Sequence, residues 1–244
     1  MAKTNSKDKS SQRVLVAMSG GVDSSVAAYL LKKESYEVIG VTMKLFCYGE
    51  RAEKQKACCS LEAINDAKAV CEKLGISHYV FDLEKEFGLK VINDFVSEYE
   101  KGRTPNPCVR CNQLIKFDYL LKKAKELGCD FLATGHYARI HEVKSEKLKV
   151  KNYELLKGVD EAKDQTYFLY RLNQAQLSRL KFPLGELTKK EVRRIAYNAG
   201  LKTAEKAESQ EICFVDTSVS EFLSGKVKAK KGDILDNTNA GKKV

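Results

Sequence analysis

Apolar and polar residues alternate along this chain in blocks that predict strands and helices in turn. Four short apolar segments are typical of strands, at 13–18, 37–43, 78–82 and 130–134. Between them, apolar residues recur at helical spacing over 61–74, 86–100 and 114–127. The first two strands are runs of Val, Ile and Leu, which indicates burial on both faces. The alternation therefore predicts an α/β fold, a doubly wound parallel sheet.

The pattern changes after the fourth strand. Residues 138–200 are predicted as an insertion made of a hairpin over 138–157 and helices over 174–180 and 188–199. Thr188 and Glu191 have the spacing of a capping box at the start of the second helix.

Composition shifts predict three regions. Residues 1–11 are polar and lysine-bearing, which predicts a disordered basic tail, and 12–216 would form the catalytic domain, closing on a strand over 212–215. Residues 217–244 are predicted as the start of a further β-rich domain, with one strand at 233–236. Residues 237–241 look like turn material without a second half, so the chain is expected to stop inside an element.

Composition narrows the class of protein. Hydrophobic residues make up 43% of the chain, which is enough for a proper core. The sequence contains no run of about 18 apolar residues, so no membrane span is predicted. The N-terminus also lacks the apolar stretch of a signal peptide. A cytoplasmic location is therefore expected. The formal net charge of +10 favours a polyanionic partner.

Eight cysteines in a chain of this class favour metal or catalytic roles over structural disulfides. Cys71 and Cys129 lie in apolar patterns and are interpreted as small buried side chains.

A glycine turn follows the first predicted strand. Ser19 to Ser25 reads SGGVDSS and leads into an apolar helical segment. Adjacent glycines allow a tight turn and a close approach to a ligand, and amides at a helix N-terminus bind anions. An ordinary capped helix would not need both glycines, Asp23 and two serines, so we favour a loop for nucleotide phosphates. Ser24 and Ser25 could cap the helix and donate to phosphate oxygens. No lysine follows, which excludes the usual P-loop, and the string resembles the loop of the ATP-pyrophosphatase superfamily.

A second segment carries Cys108 and Cys111 in TPNPCVRCN, just before a predicted helix. A thiol near a helix N-terminus and beside Arg110 should have a lowered pKa. The spacing is compatible with a redox pair, half of a zinc site or part of an iron–sulfur site. Cys213 lies in SQEICF, where it is either a strand-end residue near the ligand or a buried strand cysteine.

Taken in order, the motifs of this chain resemble those of the MnmA-type tRNA 2-thiouridylases over about residues 12–240. Besides Ser19–Ser25, the matching segments are Asn106–Phe117, Ala133–Tyr137, Lys163–Tyr170, Phe182–Leu187 and Ile212–Phe214. The resemblance implies that ATP and Mg2+ activate O2 of a tRNA wobble uridine by adenylation. Sulfur then replaces this oxygen at C2, and AMP and pyrophosphate are released. The target base would have to be extruded to be reached.

The resemblance also assigns residues. ATP would be bound by Ala17, Met18, Ser19, Gly20, Gly21, Val22, Asp23, Ser24, Met43 and Gly135. tRNA would be contacted by Asn106, Pro107, Cys108, Lys163, Asp164 and Gln165. Asp23 would either place Mg2+ or fix the loop by hydrogen bonds. His136 would lie near the nucleotide, and His141 would be an exposed residue of the insertion.

Two routes for the sulfur stay open. In one, Cys213 carries a persulfide and Cys111 releases the sulfur or forms a disulfide with Cys213. In the other, Cys108, Cys111 and Cys213 hold a [4Fe–4S] cluster with one open iron, because Cys108 stands where well-known members carry aspartate. The donor would be a sulfur relay protein, a cysteine desulfurase or free sulfide.

Two other classes of function remain as alternatives. An adenylating ligase or amidotransferase for a small molecule would explain the glycine loop but leave the thiols and Lys163–Gln165 without a role. An RNA-binding module with a structural metal would explain the charge and the cysteines but not the loop.

Overall fold

The computed structural model describes residues 8–46, 61–143, 151–207, 212–215 and 218–227, and the backbone of two short strands near the C-terminus. Residues 1–7 of the predicted tail, the turn at 237–241, and Cys47, Cys58 and Cys59 lie outside the described residues.

The centre of the fold is a five-stranded sheet in the order β3-β2-β1-β4-β7, and each neighbouring pair is parallel. Its strands are β1 (Arg13–Ala17), β2 (Glu37–Lys44), β3 (Ser77–Asp82), β4 (Phe131–Ala133) and β7 (Leu180–Lys181). β5 (Ala138–Val143) and β6 (Asn152–Lys157) form a separate antiparallel hairpin. The α/β prediction and the hairpin are thereby confirmed.

Helices connect the strands of the sheet. The α-helices are α1 (Val22–Lys33), α2 (Leu61–Leu74), α3 (Glu84–Phe87), α4 (Asn93–Glu100), α5 (Pro107–Cys111), α6 (Leu120–Glu126), α7 (Gln174–Leu177), α8 (Lys189–Asn198) and α9 (Val219–Leu223). Two π-helical segments, Gly88–Ile92 and Asn112–Tyr119, join α3 to α4 and α5 to α6. The predicted helix over 114–127 therefore begins earlier, at Pro107.

The two faces of the sheet are covered by different helices, because neighbouring side chains of a strand point to opposite faces. Val16 packs in a cluster with Val26 of α1 and Val192 of α8. Leu15 packs instead with Phe117 and with Leu120 of α6. The sheet is thus doubly wound.

The strand order changes direction between β1 and β4, which are neighbours in the sheet although α1, β2 and β3 lie between them in sequence. In open α/β sheets such a switch point opens a crevice beyond the carboxyl ends of the strands. The segments that follow β1 and β4, 18–21 and 134–137, lie at that edge.

The predicted insertion is smaller than 138–200. The helix predicted over 174–180 ends at Leu177, and Leu180–Lys181 is a strand that pairs with β4 of the main sheet. Helix α8 follows and buries Val192 and Ala196 in the main core. The capping box of Thr188 and Glu191 is present as predicted.

The C-terminal part differs from its prediction in two places. Residues 212–215 form a turn and not a strand, with Val215 N donating to Ile212 O at 2.9 Å. Leu235–Asp236 pairs antiparallel with Lys242–Lys243, so the hairpin does have a second half within this chain. At the other end, Lys9–Ser11 of the predicted disordered tail forms a 3-10 turn.

Candidate active site

The glycine loop lies directly at the carboxyl end of β1. Gly21 is the N-cap of α1 and no side chain caps this helix, so the prediction that Ser24 or Ser25 caps it is wrong. Both serines lie in the first turn and donate through Oγ to Gly21 O, at 3.2 and 2.8 Å. Ser24 Oγ also accepts from Ser19 N at 3.1 Å. The serine side chains therefore shape the loop.

Gly20 can only be glycine in this position. Its φ is +71°, and an added Cβ would lie 2.2 Å from the carbonyl oxygen of Ala63 on α2. The turn is thus pressed against the second helix, which leaves no room for a side chain.

Asp23 is held by two side chains from distant parts of the chain. Its Oδ1 accepts from Tyr137 Oη at 2.8 Å, and both carboxylate oxygens accept from Lys189 Nζ at 2.8 Å. Lys189 is the first residue of α8, and its side chain is only 12% exposed. Of the two roles considered for Asp23, the structure supports fixing the loop.

The segment after β4 closes the crevice opposite this loop. A Cβ on Gly135 would lie 2.8 Å from Asp23 C and from Ser24 N, so only glycine allows the two segments to meet. The neighbouring His136 is buried and its Nδ1 lies 2.6 Å from Thr134 Oγ1. Burial, assisted by the charge of Lys116, holds the pKa of His136 well below its usual 6.5, so this ring is neutral near pH 7.

The two cysteines of the CVRC segment lie on α5, Cys108 in its first turn and Cys111 as its last residue. Asn106 caps this helix by accepting from Cys108 N and Val109 N at 3.1 and 3.3 Å, and Pro107 occupies the first helical position. Cys108 is exposed and Cys111 is buried. The sequence placed both thiols just before a helix; the structure corrects this, because the motif forms α5 itself and only Cys108 lies at the helix N-terminus.

Arg110 is paired with a carboxylate on another helix. Its Nε and Nη2 donate to the two carboxylate oxygens of Asp94 at 3.0 and 2.6 Å. This pair joins α5 to α4, and the guanidinium charge is shared with a carboxylate.

Cys213 is held at the cleft by its neighbour. Phe214 is buried and packs edge-on against Phe87 and Phe95, with ring centroids 5.7 and 5.3 Å apart. Cys213 itself is half-buried and packs against the same apolar cluster that contains Cys111. The tertiary structure therefore brings these two thiols to one region.

One cleft of about 480 Å³ joins the glycine loop to all three thiols. From the predicted nucleotide residues it is lined by Ala17, Met18, Ser19, Asp23, Ser24, Met43 and Gly135. Cys108, Cys111 and Cys213 line it as well. The other predicted nucleotide residues are not among the lining residues: Gly20 packs on α2, Gly21 is the N-cap of α1 and Val22 is buried in the core.

The predicted tRNA residues fall into two groups. Pro107, Cys108 and Gln165 line the cleft. Asp164 instead holds its own segment, accepting from Gly158 N and from Thr166 Oγ1 at 3.0 and 2.6 Å. Asn106 is the cap of α5, and Lys163 ends a 3-10 turn outside the cleft lining.

Sequence reasoning assigned no role to Lys116, Tyr137 or Lys189. Lys116 lines the cleft together with His136, and the other two residues hold Asp23. Tyr137 and Lys116 stood within motifs of the resemblance, and Lys189 follows the capping residue Thr188. Only the fold places them against the loop.

Other assignments agree with the sequence. Cys71 and Cys129 are buried in the core, and burial raises their pKa to about 12 and about 11. His141 is exposed on β5.

The donor set for an iron–sulfur cluster does not assemble. Within the described ranges, no group of three or more His, Cys, Asp or Glu side chains is arranged to hold a metal ion. Cys108, Cys111 and Cys213 therefore share a cleft without forming a ligand set in this conformation. The iron–sulfur cluster stays a prediction.

These features define a class of protein: an α/β domain whose glycine loop lies at the switch point of a parallel sheet. The sequence model of the tRNA methyl transferase HUP domain family matches residues 12–217, and the chain belongs to this family.

Two relatives of known name confirm the resemblance to the MnmA-type tRNA 2-thiouridylases that the sequence motifs indicated. The tRNA-specific 2-thiouridylase MnmA of Geobacter metallireducens is 54% identical over 236 residues, covering 94% of this chain and 63% of the relative. That of Geotalea uraniireducens is 52% identical over 243 residues, with 94% and 64% covered. The chain thus spans less than two thirds of either relative.

A solved structure supports the fold. A 4-thiouridine synthetase–RNA complex with bound ATP aligns with a TM-score of 0.55 and 17% identity, covering 88% of this chain and 50% of the other. Among the residues that the structure describes, no helix combines the length and apolarity needed to cross a membrane.

Proposed function

We propose that this chain carries the ATP- and thiol-bearing site of a tRNA 2-thiouridine synthase. The observation that supports it is the single cleft lined both by the glycine loop and by Cys108, Cys111 and Cys213. A small-molecule ligase would need no thiols beside the nucleotide, and an RNA-binding module would need no phosphate loop. The relatives named as tRNA-specific 2-thiouridylases support the same choice.

In the first step, O2 of the wobble uridine attacks the α-phosphorus of ATP, and pyrophosphate leaves. The oxygen at C2 thereby becomes part of AMP, which is a good leaving group. The loop amides at the N-terminus of α1 would bind the negative charge of the phosphates, with Mg2+ entering on the nucleotide. Met43 and Gly135 would line the nucleotide.

In the second step, the terminal sulfur of a persulfide on Cys213 attacks C2 and AMP leaves with the oxygen. The Cys111 thiolate then attacks Cys213 Sγ, which breaks the S–S bond to the transferred sulfur and leaves it on C2. The products are 2-thiouridine and a Cys111–Cys213 disulfide, which a cellular dithiol must reduce before the next turnover. Both thiols line the cleft, which supports this assignment.

The substrate would reach these groups as an extruded base. Pro107, Cys108 and Gln165 line the cleft and would contact the base. Gln165 is held for this by two hydrogen bonds to the Tyr137 backbone, each 3.0 Å long. Lys163 and the positive net charge would contact the tRNA backbone. The sulfur donor and the cytoplasmic location stay predictions.

The test is incubation of the protein with ATP, tRNA bearing a wobble uridine, and a persulfide donor. We expect 2-thiouridine by nucleoside mass spectrometry, with one AMP and one pyrophosphate per thiolation. Pyrophosphate release that needs no tRNA would instead indicate a small-molecule ligase. RNA binding without nucleotide turnover would indicate a binding module.

Iron content separates the two sulfur routes. The persulfide route predicts full activity in iron-free protein. It also predicts that the Cys108→Asp variant remains active, because well-known members of the family resembled carry aspartate at this position. Iron and acid-labile sulfide in anaerobically isolated protein, with absorbance near 400 nm and activity that follows iron content, would favour the cluster and overturn the persulfide route. The specific observation behind this second candidate is that Cys108 is a third thiol on the same cleft.

Replacing Lys189 by methionine should weaken ATP use without removing the thiols. The change leaves the Asp23 carboxylate without the cation that contacts both of its oxygens. A hydrogen bond to a charged group contributes about 1.5–3 kcal/mol, so the KM for ATP should rise about tenfold or more. Lys190→Met, at the exposed next position of α8, is the matched control. Equal KM values for the two variants would contradict the role of Lys189.

A further inference from the structure

Two tyrosines lie exposed beside the cleft. Tyr167 and Tyr170 are 65% and 59% exposed, and their ring centroids are 6.3 Å apart with an interplanar angle of 39°. Large aromatic side chains presented together to solvent are typical of binding surfaces. We call Tyr167, Tyr170 and Arg171 the tyrosine platform.

The backbone beneath this platform is well fixed. Tyr167 lies in the 3-10 turn Thr166–Leu169, and Leu169 is buried in the core. Asn112 is itself buried and donates through Nδ2 to Phe168 O at 3.1 Å. The rings are therefore presented from a rigid segment, which lowers the entropy cost of stacking a partner on them.

The platform continues the wall of the cleft. Gln165 and Phe168, on the same segment, line the cleft. Arg171 Nη1 and Arg110 Nη1 both donate to Gln113 Oε1, at 3.3 and 3.5 Å, which ties the platform to the helix that carries the CVRC cysteines. A partner that places one group in the cleft would pass over these rings.

The chemistry of the platform fits RNA bases. Arg171 Cζ lies 5.7 Å from the centroid of the Tyr170 ring, and Arg171 Nε donates to Tyr170 Oη at 3.1 Å. Aromatic rings and guanidinium planes stack unpaired bases, and the guanidinium charge attracts the adjacent phosphates. The net charge of +10 favours the same partner.

We propose that the tyrosine platform stacks the unpaired anticodon-loop bases next to the uridine that enters the cleft. The proposal rests on the proposed function, since it takes its RNA substrate from there. The tyrosine platform would select a single-stranded loop over a duplex, because only unpaired bases have a free face that can stack on the tyrosine rings.

The experiment uses an anticodon stem-loop RNA with 2-aminopurine next to the wobble uridine, and a duplex of matched composition. The double variant Tyr167→Ala/Tyr170→Ala should bind the stem-loop about tenfold or more weakly and lose the quenching of 2-aminopurine, because stacking on an aromatic ring is a large part of such affinity. Tyr167→Phe/Tyr170→Phe should keep both. Tyr197→Ala, a tyrosine 72% exposed on α8, is the matched control.

The outcomes are separable from those of the proposed function. Wild-type RNA affinity and quenching in the double alanine variant, or an equal loss with Tyr197→Ala, would overturn the platform even if thiolation is normal. Loss of stem-loop binding with unchanged ATP affinity and circular dichroism supports the platform even if no thiolation is found. Equal weakening of duplex and stem-loop binding would overturn it as a base-stacking surface.

Discussion

Replacing Cys213 or Cys111 by alanine should abolish 2-thiouridine formation while ATP binding and tRNA-dependent pyrophosphate release continue. Both thiols line the cleft, whereas the glycine loop is shaped by hydrogen bonds among its own residues Ser19, Gly21, Ser24 and Ser25. Sulfur transfer needs one thiol to carry the sulfur and one to release it, and no other side chain type supplies that chemistry at neutral pH. We expect the loss to be about a thousandfold or more.

The measurement compares thiolation by nucleoside mass spectrometry with pyrophosphate release in the same reaction. Cys129→Ala is the matched control, because this cysteine is buried in the core away from the cleft and should change stability more than chemistry. Thiolation that survives in Cys111→Ala or Cys213→Ala would refute the assigned roles. Loss of pyrophosphate release in both would place the thiols in the first step instead.

Gly135→Ala should strongly impair ATP use although it adds a single methyl group. The new Cβ would lie 2.8 Å from backbone atoms of Asp23 and Ser24, and a backbone cannot move aside as a flexible side chain can. Overpacking of this kind costs about 1–3 kcal/mol, so kcat/KM for ATP should fall about fivefold or more. Pyrophosphate release at varied ATP concentration is the measurement.

Gly88→Ala serves as the control for that substitution, because an added Cβ there meets nothing within 4 Å. It should leave kcat/KM for ATP unchanged and stabilise the helix slightly, since alanine favours helices over glycine. If both variants used ATP equally well, the contact between the segment after β4 and the first turn of α1 would have no part in nucleotide binding.

Much of the fold follows from local patterns. The apolar runs at β1 and β2 predicted buried strands because a strand covered on both faces has no polar side. The helical spacing over α2 and the capping box at Thr188 are likewise local signals, and both are present. The short strand β7, at Leu180–Lys181, was missed because two residues are too few to show the alternation of apolar and polar side chains.

The residues of the candidate site also fall into those that local sequence predicted and those that only the fold revealed. The glycine loop and the CVRC segment were visible because turn, cap and thiol chemistry depend on neighbouring residues. The role of Lys189 was not visible, since it contacts Asp23 across 166 positions of sequence. The ion pair of Arg110 was not visible for a related reason: its partner Asp94 lies on another helix.

By itself, the sequence determined most of the longer elements, the glycine loop after the first strand and the presence of three candidate thiols, because each depends on residue type and short-range spacing. Only the tertiary structure decided that these thiols share a cleft with the loop, that Asp23 is fixed by Lys189 and Tyr137, and that no metal ligand set forms among the described residues. The physical reason is that the parallel sheet brings the carboxyl ends of β1 and β4 side by side, and packing against its core then sets which distant side chains reach that edge.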